Sequence, residues 1–153
     1  MKHIIAKQYR ENVNLARKKL EGLAIPSEGW LRTVRKALGM SGAQLGRKLD
    51  VTRGAVSINE KAELSRGITI KTMQQMAESM GCRFVYAVVP EIDVEDILMK
   101  RARVKATKQV RNASVHMALE NQLLAEEKLV AEVERLAKEM IETSPSDLWN
   151  DDE

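Results

Sequence analysis

Ser41-Gly42-Ala43-Gln44-Leu45-Gly46-Arg47-Lys48-Leu49-Asp50-Val51-Thr52-Arg53-Gly54-Ala55-Val56-Ser57 is the stretch on which the fold of this 153-residue chain turns. Ser41 is a favoured N-cap, and Ala43, Leu45 and Leu49 then share the inner side of a short helix over about 42–49. Asp50 and Val51 make a turn. Thr52 is a second N-cap and opens a helix over about 53–61. Small residues at Ala43, Gly46 and Ala55 let the two helices come close, and Leu45, Leu49, Val51 and Val56 fill the space between them. Packed this way, the start of the second helix projects from the surface. Its N–H groups and first side chains can enter a DNA major groove, which is about 12 Å wide.

The side chains at that tip have matching chemistry. Arg53 can reach a phosphate or the O6/N7 edge of guanine, Asn59 a base edge or phosphate, and Ser57 is short enough to approach either. Gly54 permits close backbone approach, and Thr52 completes the tip. Gln44, at the start of the preceding helix, is placed to grip a phosphate, as are Arg47 and Lys48. The competing reading is a helical hairpin with ordinary polar surface residues, a packing found in many proteins that never touch DNA.

Working outward, residues 3–21 predict a helix, with Ile4, Ile5, Tyr9, Val13, Leu15 and Leu20 loosely on one side. Gly22 and Pro26 break it. Ser27 is the expected cap of a helix over 28–38 that carries Trp30, Leu31, Val34 and Leu38 and ends at Gly39. After a loop over 63–69, Thr69 caps a helix over 70–80, whose Ile70, Met73, Met76, Ala77 and Met80 form a stripe. Cys82 to Val89 reads as a β-strand ended by Pro90, because Phe84, Val85, Tyr86, Val88 and Val89 are all strong β-formers. One strand makes no sheet, so pairing across a two-fold axis with a second copy is expected. A short helix over 93–102 and a long helical stretch from about 104 follow, with a break expected near 112–114 or at Asn121. Leu129, Val133, Leu136 and Met140 recur at helical spacing. Residues 143–146 are a turn. The acidic end, 147–153, is expected to be disordered, with Leu148 and Trp149 available to dock on a partner. The domains are then an N-terminal helix (1–26), the helix-turn-helix region with its strand (27–90), a helical extension (91–142) and the tail (143–153).

Composition supports a mainly α fold: aromatics are 3% of residues, Pro only three, and eight Met share the filling of the core. Charge is divided along the chain. The first 90 residues hold 16 Lys and Arg against 7 Asp and Glu, the remainder 9 against 15. A basic first part suits a polyanion, and an acidic second part something else; ordinary solvated surfaces would read the same way. Lys100, Arg101, Arg103, Lys105, Lys108 and Arg111 form a basic run without an intervening acid, suited to phosphates, to an acidic patch on a partner, or to plain solvation. The single Cys82 excludes an intrachain disulfide and suits a reducing cytoplasm. No apolar run approaches the roughly 20 residues of a membrane span, and the N-terminus lacks a signal-peptide core.

Enzyme chemistry finds little material. Two His and one Cys do not build a usual zinc site, no Gly-rich phosphate loop is present, and no Ser has a His base at a motif spacing. The reading is therefore a binding protein without metal or cofactor.

Residues 30–80 resemble an XRE-type (Cro/repressor-like) helix-turn-helix domain. More narrowly, Gly29-Trp30-Leu31-Arg32, Ser41-Gly42-Ala43-Gln44-Leu45, Val51-Thr52-Arg53 and Gly81-Cys82-Arg83-Phe84-Val85-Tyr86-Ala87-Val88-Val89-Pro90 resemble the mobile mystery protein A family, over most of the chain to about residue 122. The resemblance implies a cytoplasmic repressor encoded beside a Fic-domain toxin, an AMP-transferase, and serving as its antitoxin. Many XRE domains carry an aromatic just before the Glu that stands at Glu60; this chain has Asn59 there. The resemblance also draws attention to His116, Glu120 and Asn121. Fic antitoxins insert a helix with a Ser/Thr-x-x-x-Glu-Gly/Asn motif beside the ATP site, where the Glu engages an arginine meant for the γ-phosphate. Glu120-Asn121 matches the end of that motif, and His116 stands where it has Ser or Thr. The expected partners are operator DNA, a Fic-domain toxin and a second copy of the chain, with no membrane. The alternatives are a stand-alone autoregulatory repressor whose C-terminal helices only oligomerise, and an inhibitor whose helix-turn-helix is vestigial.

Overall fold

A computed structural model describes residues 1–119 and 126–151, with side chains described for residues 1–113 and 126–151. Its elements are α1 (Lys2–Leu20), α2 (Trp30–Ala37), α3 (Gly42–Leu49), α4 (Arg53–Ser65), α5 (Ile70–Ser79), α6 (Val94–Leu119), α7 (Glu126–Thr143) and a 3-10 helix, Pro145–Trp149. The protein is mainly helical. Among the described residues no helix is long and apolar enough to cross a membrane. The chain divides into two compact units, Leu20–Ala87 and Met1–Lys19 with Val88–Glu153. Tertiary contact thus groups the N-terminal helix with the C-terminal half, whereas Gly22 and Pro26 suggested only that it was separate.

In the unit Leu20–Ala87, four helices close over Leu31, Leu45, Val56, Met73, Met76 and Met80, with Val34, Met40, Leu49, Ile68 and Phe84 packed against them. Burying Leu45 and Val56 contributes about 1.5–3 kcal/mol each. α3 and α4 start where their caps dictate. Ser41 and Gln44 form a reciprocal capping box, and the Thr52 hydroxyl oxygen accepts from Ala55 N at 3.0 Å. The turn between them depends on Gly46. Val51 N donates to Gly46 O at 2.8 Å, and a Cβ at position 46 would lie 2.7 Å from Val51 O. Asp50 ends α3 in the left-handed region, φ 56°.

The unit Met1–Lys19 with Val88–Glu153 is built on α6 and α7. Leu98, Ala102 and Ala106 recur every fourth residue on α6 and meet Ala137 of α7, with Val133, Leu136, Met140 and Ile141 around them. The alanines are fully buried, so these two helices approach closely. α1 joins this unit through polar contacts. Asn14 Oδ1 accepts from Val94 N at 2.9 Å, which caps the start of α6, Asn14 Nδ2 donates to Glu95 at 2.8 Å, and Arg17 pairs with Asp93 at 2.9 Å.

Three expectations change. Residues 82–90 form no strand, and no strand occurs among the described residues. A strand exists only as one side of a hydrogen-bonded ladder, and no second strand is present to supply the other. The segment still carries Phe84 into the core and stacks it on Tyr86, ring centroids 6.0 Å apart. Second, α6 runs unbroken from 94 to 119, which joins the two helices expected there; the alternative break at Asn121 lies outside the described residues. The polar residues at 112–114 include neither Gly nor Pro and leave the helix intact. Third, the tail is ordered over Pro145–Trp149. Leu148 is only 1% exposed and packs in its own unit, so it is not held out for a partner.

Gly46→Ala is expected to destabilise the chain by about 1–2 kcal/mol, because the new methyl meets turn backbone that cannot rotate away. Gly42→Ala should be neutral or stabilising by up to ~1 kcal/mol, since its Cβ would make only an ordinary 3.6 Å contact with Arg53. Urea unfolding midpoints of the two variants check the difference in sign.

Candidate functional site

The start of α4 stands at the surface. Thr52, Arg53, Gly54 and Ser57 are all exposed, and so are Gln44, Arg47 and Lys48 on α3. At about 100° per residue, Arg53, Ser57 and Lys61 fall along one outer strip of α4. Val56 and Glu60, on the adjoining flank of the helix, are buried. Asn59 is half-buried and lies about 160° around the helix from Ser57, so it does not share the strip. Ile58 takes an exposed position instead.

A groove of about 620 Å³ runs between the α3 N-terminus and α4, lined by Arg32, Ser41, Gly42, Arg53, Ser57 and Lys61 among others. Arg32 and Lys61 add cations beyond the residues picked from the sequence, while Glu28 and Glu60 line the same groove and Glu28 lies 3.8 Å from Arg32. The repeat 53, 57, 61 would have identified Lys61. Arg32 is brought in by the packing of α2, which no local spacing reveals. Two predicted contacts are partly used within the chain. Gln44 Oε1 accepts from Ser41 N at 2.7 Å, and the Thr52 oxygen caps α4. Both residues remain exposed.

The frame behind this face is ionic. Arg35 of α2 meets Glu60 of α4 with Nε–Oε1 at 2.5 Å and Nη2–Oε2 at 3.1 Å, and its Nη1 donates to Met40 O at 3.0 Å. The two side chains are 14% and 9% exposed. The hydrogen bond to Glu60 holds the Arg35 guanidinium even more firmly protonated than in water. One arginine thus fixes the α4 helix, its own helix α2, and the loop that delivers α3.

A second carboxylate, Glu63, accepts from Trp30 N (3.0 Å) and Leu31 N (3.1 Å) and so caps α2 from α4. It replaces the local cap expected at Ser27. Gly29 sits at φ 81° directly beside it, where any Cβ would collide with the Glu63 carboxylate. Glu28, nearby, accepts from Lys36 at 2.9 Å. That bond, with Arg32 and Arg35 close by, keeps the Glu28 carboxyl below its ordinary range.

The second set of predicted residues is placed differently. His116 falls in the last turns of α6, whose backbone is helical there, while Glu120 and Asn121 lie outside the described residues. The basic run ahead of them makes contacts within the chain at three positions. Arg103 pairs with Glu134 at 2.6 Å, and Arg101 and Lys105 donate to backbone carbonyls of the C-terminal segment. No family model matches the chain, and no curated protein or solved structure is significantly similar to it.

Arg35→Met strands a buried carboxylate and is expected to cost about 3–5 kcal/mol. Adding Glu60→Leu to that variant should recover most of the loss, because the unpaired charge is then gone. Chemical denaturation of the wild type, both single variants and the double variant checks this, and an additive double variant would contradict a direct pairing.

Proposed function

We propose that this chain is an XRE-type helix-turn-helix antitoxin. It represses its own operon through α3 and α4 and inhibits a Fic-domain AMP-transferase through the end of α6 and the residues after it. It is a cytoplasmic binding protein, not an enzyme. The observation that carries the repressor reading is the α4 tip: Arg53, Gly54 and Ser57 stand exposed with Lys61 on one side of the helix, and Gln44, Arg47 and Lys48 are exposed on α3. Phosphate contacts supply much of the affinity of such a surface, and the helix tip supplies the base contacts.

Operator binding by this class of domain works best in pairs, because half-sites repeat along the duplex. The segment 82–89 supports pairing. Val85, Tyr86 and Val88 are exposed, Val88 at 91%, and the backbone there has no ladder partner within the described residues. Two copies can each complete the other's strand. The inhibitory half of the reading rests on sequence resemblance at His116, Glu120 and Asn121. α6 and α7 use their apolar faces on each other.

A gel shift with the DNA upstream of the chain's own reading frame tests repression. The complex should weaken steeply with salt. Arg53→Ala should lower specific affinity by about 1–3 kcal/mol while leaving the fold unchanged. Unaltered operator affinity would remove Arg53 from the reading set. For inhibition, the chain is co-expressed with the Fic-domain protein encoded beside it. Glu120→Gly should restore AMP transfer at equal complex occupancy. Full silencing by that variant would exclude Glu120 as the inhibitory residue.

A further inference from the structure

The outermost line of α4 begins with two uncharged residues. At about 100° per residue, Gly54 and Ile58 each lie about 160° around the helix from the buried Val56, and Lys61 about 140°. Ile58 is 67% exposed. A lone apolar side chain on a surface carries no message by itself. This one stands one turn in from the end of the helix that the repressor reading sends into the major groove. Helical side chains lean toward the N-terminus of their helix, so Ile58 leans over the turn that holds Gly54.

Gly54 fills no place in the chain that requires a glycine. A Cβ there would meet only the Thr52 hydroxyl at 3.7 Å, an ordinary contact. Glycine inside a helix is less stable than alanine, so the missing side chain costs stability and leaves clearance beside Ile58 for something outside the chain. The setting is cationic. Both acids of α4 serve the frame: Glu60 pairs with Arg35, and Glu63 caps α2. Its cations, Arg53 and Lys61, are exposed. Glu28, which lines the groove as well, is engaged by Lys36 and Arg32.

We propose that Ile58 reads thymine: its side chain packs on the C5-methyl group of a thymine in the major groove of duplex DNA, and Gly54 supplies the clearance. This contact deepens the repressor reading and rests on it. Of the groups that distinguish the base pairs in that groove, the C5-methyl is the apolar one, and the rest are hydrogen-bond donors and acceptors. An isoleucine pressed against those would strip their water and return no hydrogen bond. Against the methyl it forfeits nothing, and apolar surface on both partners leaves water. Lys61 on a phosphate can position the helix but carries no sequence information, so Ile58 adds what that cation lacks.

The test takes duplexes that the full chain selects from a random pool and replaces each thymine in turn by deoxyuridine, which keeps the pairing and removes only the methyl. At one thymine in each half-site the exchange should weaken wild-type binding about fourfold, the worth of one buried methyl group. Ile58→Ala should weaken binding to the thymine duplex at least as much, become indifferent to the exchange at that position, and keep the wild-type salt dependence. Its urea unfolding midpoint should match the wild type, because the side chain is exposed. Gly54→Ala should hold or raise the midpoint and yet weaken binding about tenfold, because its methyl fills the clearance. The proposal is overturned if no thymine responds to loss of its methyl, if Ile58→Ala stays as sensitive to the exchange as the wild type, or if Gly54→Ala binds unchanged. If Ile58→Ala weakens thymine and deoxyuridine duplexes alike and lowers the sedimentation coefficient of the free chain, Ile58 joins copies of the chain and thymine reading is rejected. A pool that yields no preferred duplex ends the repressor reading and this contact with it. A preferred duplex that is blind to the methyl removes the contact alone.

Discussion

The unit Leu20–Ala87 depends on Arg35. Its guanidinium offers five donors in a flat fork, and here that fork spans three elements at once: its own helix α2, the Glu60 carboxylate of α4 and the Met40 carbonyl ahead of α3. Removing either charge would leave the other in a nearly dry place, where solvation no longer compensates it. A lysine could not substitute, because a point charge has no second donor plane with which to hold the carboxylate and the carbonyl together. The orientation of α4, and with it the direction in which Arg53 and Ser57 project, follows from this contact and from the carboxylate of Glu63 one turn further on. Both acids sit on the inner side of the helix whose outer side carries the candidate contacts. The same thirteen residues therefore serve the frame and the surface.

What was legible in the sequence was whatever local chemistry decides. The limits of α3 follow from the Ser41–Gln44 box and the left-handed turn at Asp50, and the start of α4 follows from Thr52. All of these are contained within a few residues. The methionine stripe of α5 was legible because its period matches the helix. The site was legible to the extent that it is local: the exposed residues at the α4 tip stand where the cap puts them. Asn59 was picked for its amide, and its half-buried place away from the strip follows from angular position, which amide chemistry does not report.

What escaped were interactions between distant positions. The cap of α2 comes from Glu63, more than thirty residues away, and the cap of α6 comes from Asn14, about eighty residues away. No window of sequence contains both partners. The strand over 82–89 shows the opposite error. Its residues have the right propensity, but a strand is a relation between two segments and propensity describes one. The ordering of Pro145–Trp149 was missed for a related reason. Acidic composition argued for solvation, while one leucine found a hole lined by alanine methyl groups. The basic run of α6 was open to phosphates, to an acidic partner or to plain solvation, and no local spacing showed that Arg101 and Lys105 donate to carbonyls of the C-terminal segment.

Those methyl groups set the girth of the α6–α7 hairpin. Ala102, Ala106 and Ala137 are closed off entirely from solvent, so the spacing of the two helix axes is fixed by the smallest side chain that still excludes water. A hairpin built this way has asymmetric tolerance. It accepts change on the outer faces of α6 and α7, where side chains meet solvent and not the opposite helix. It cannot be widened, because one extra carbon at any of the three positions would wedge the axes apart along their whole shared length. Variation in this unit is thus channelled toward the outer faces of the two helices and away from their seam.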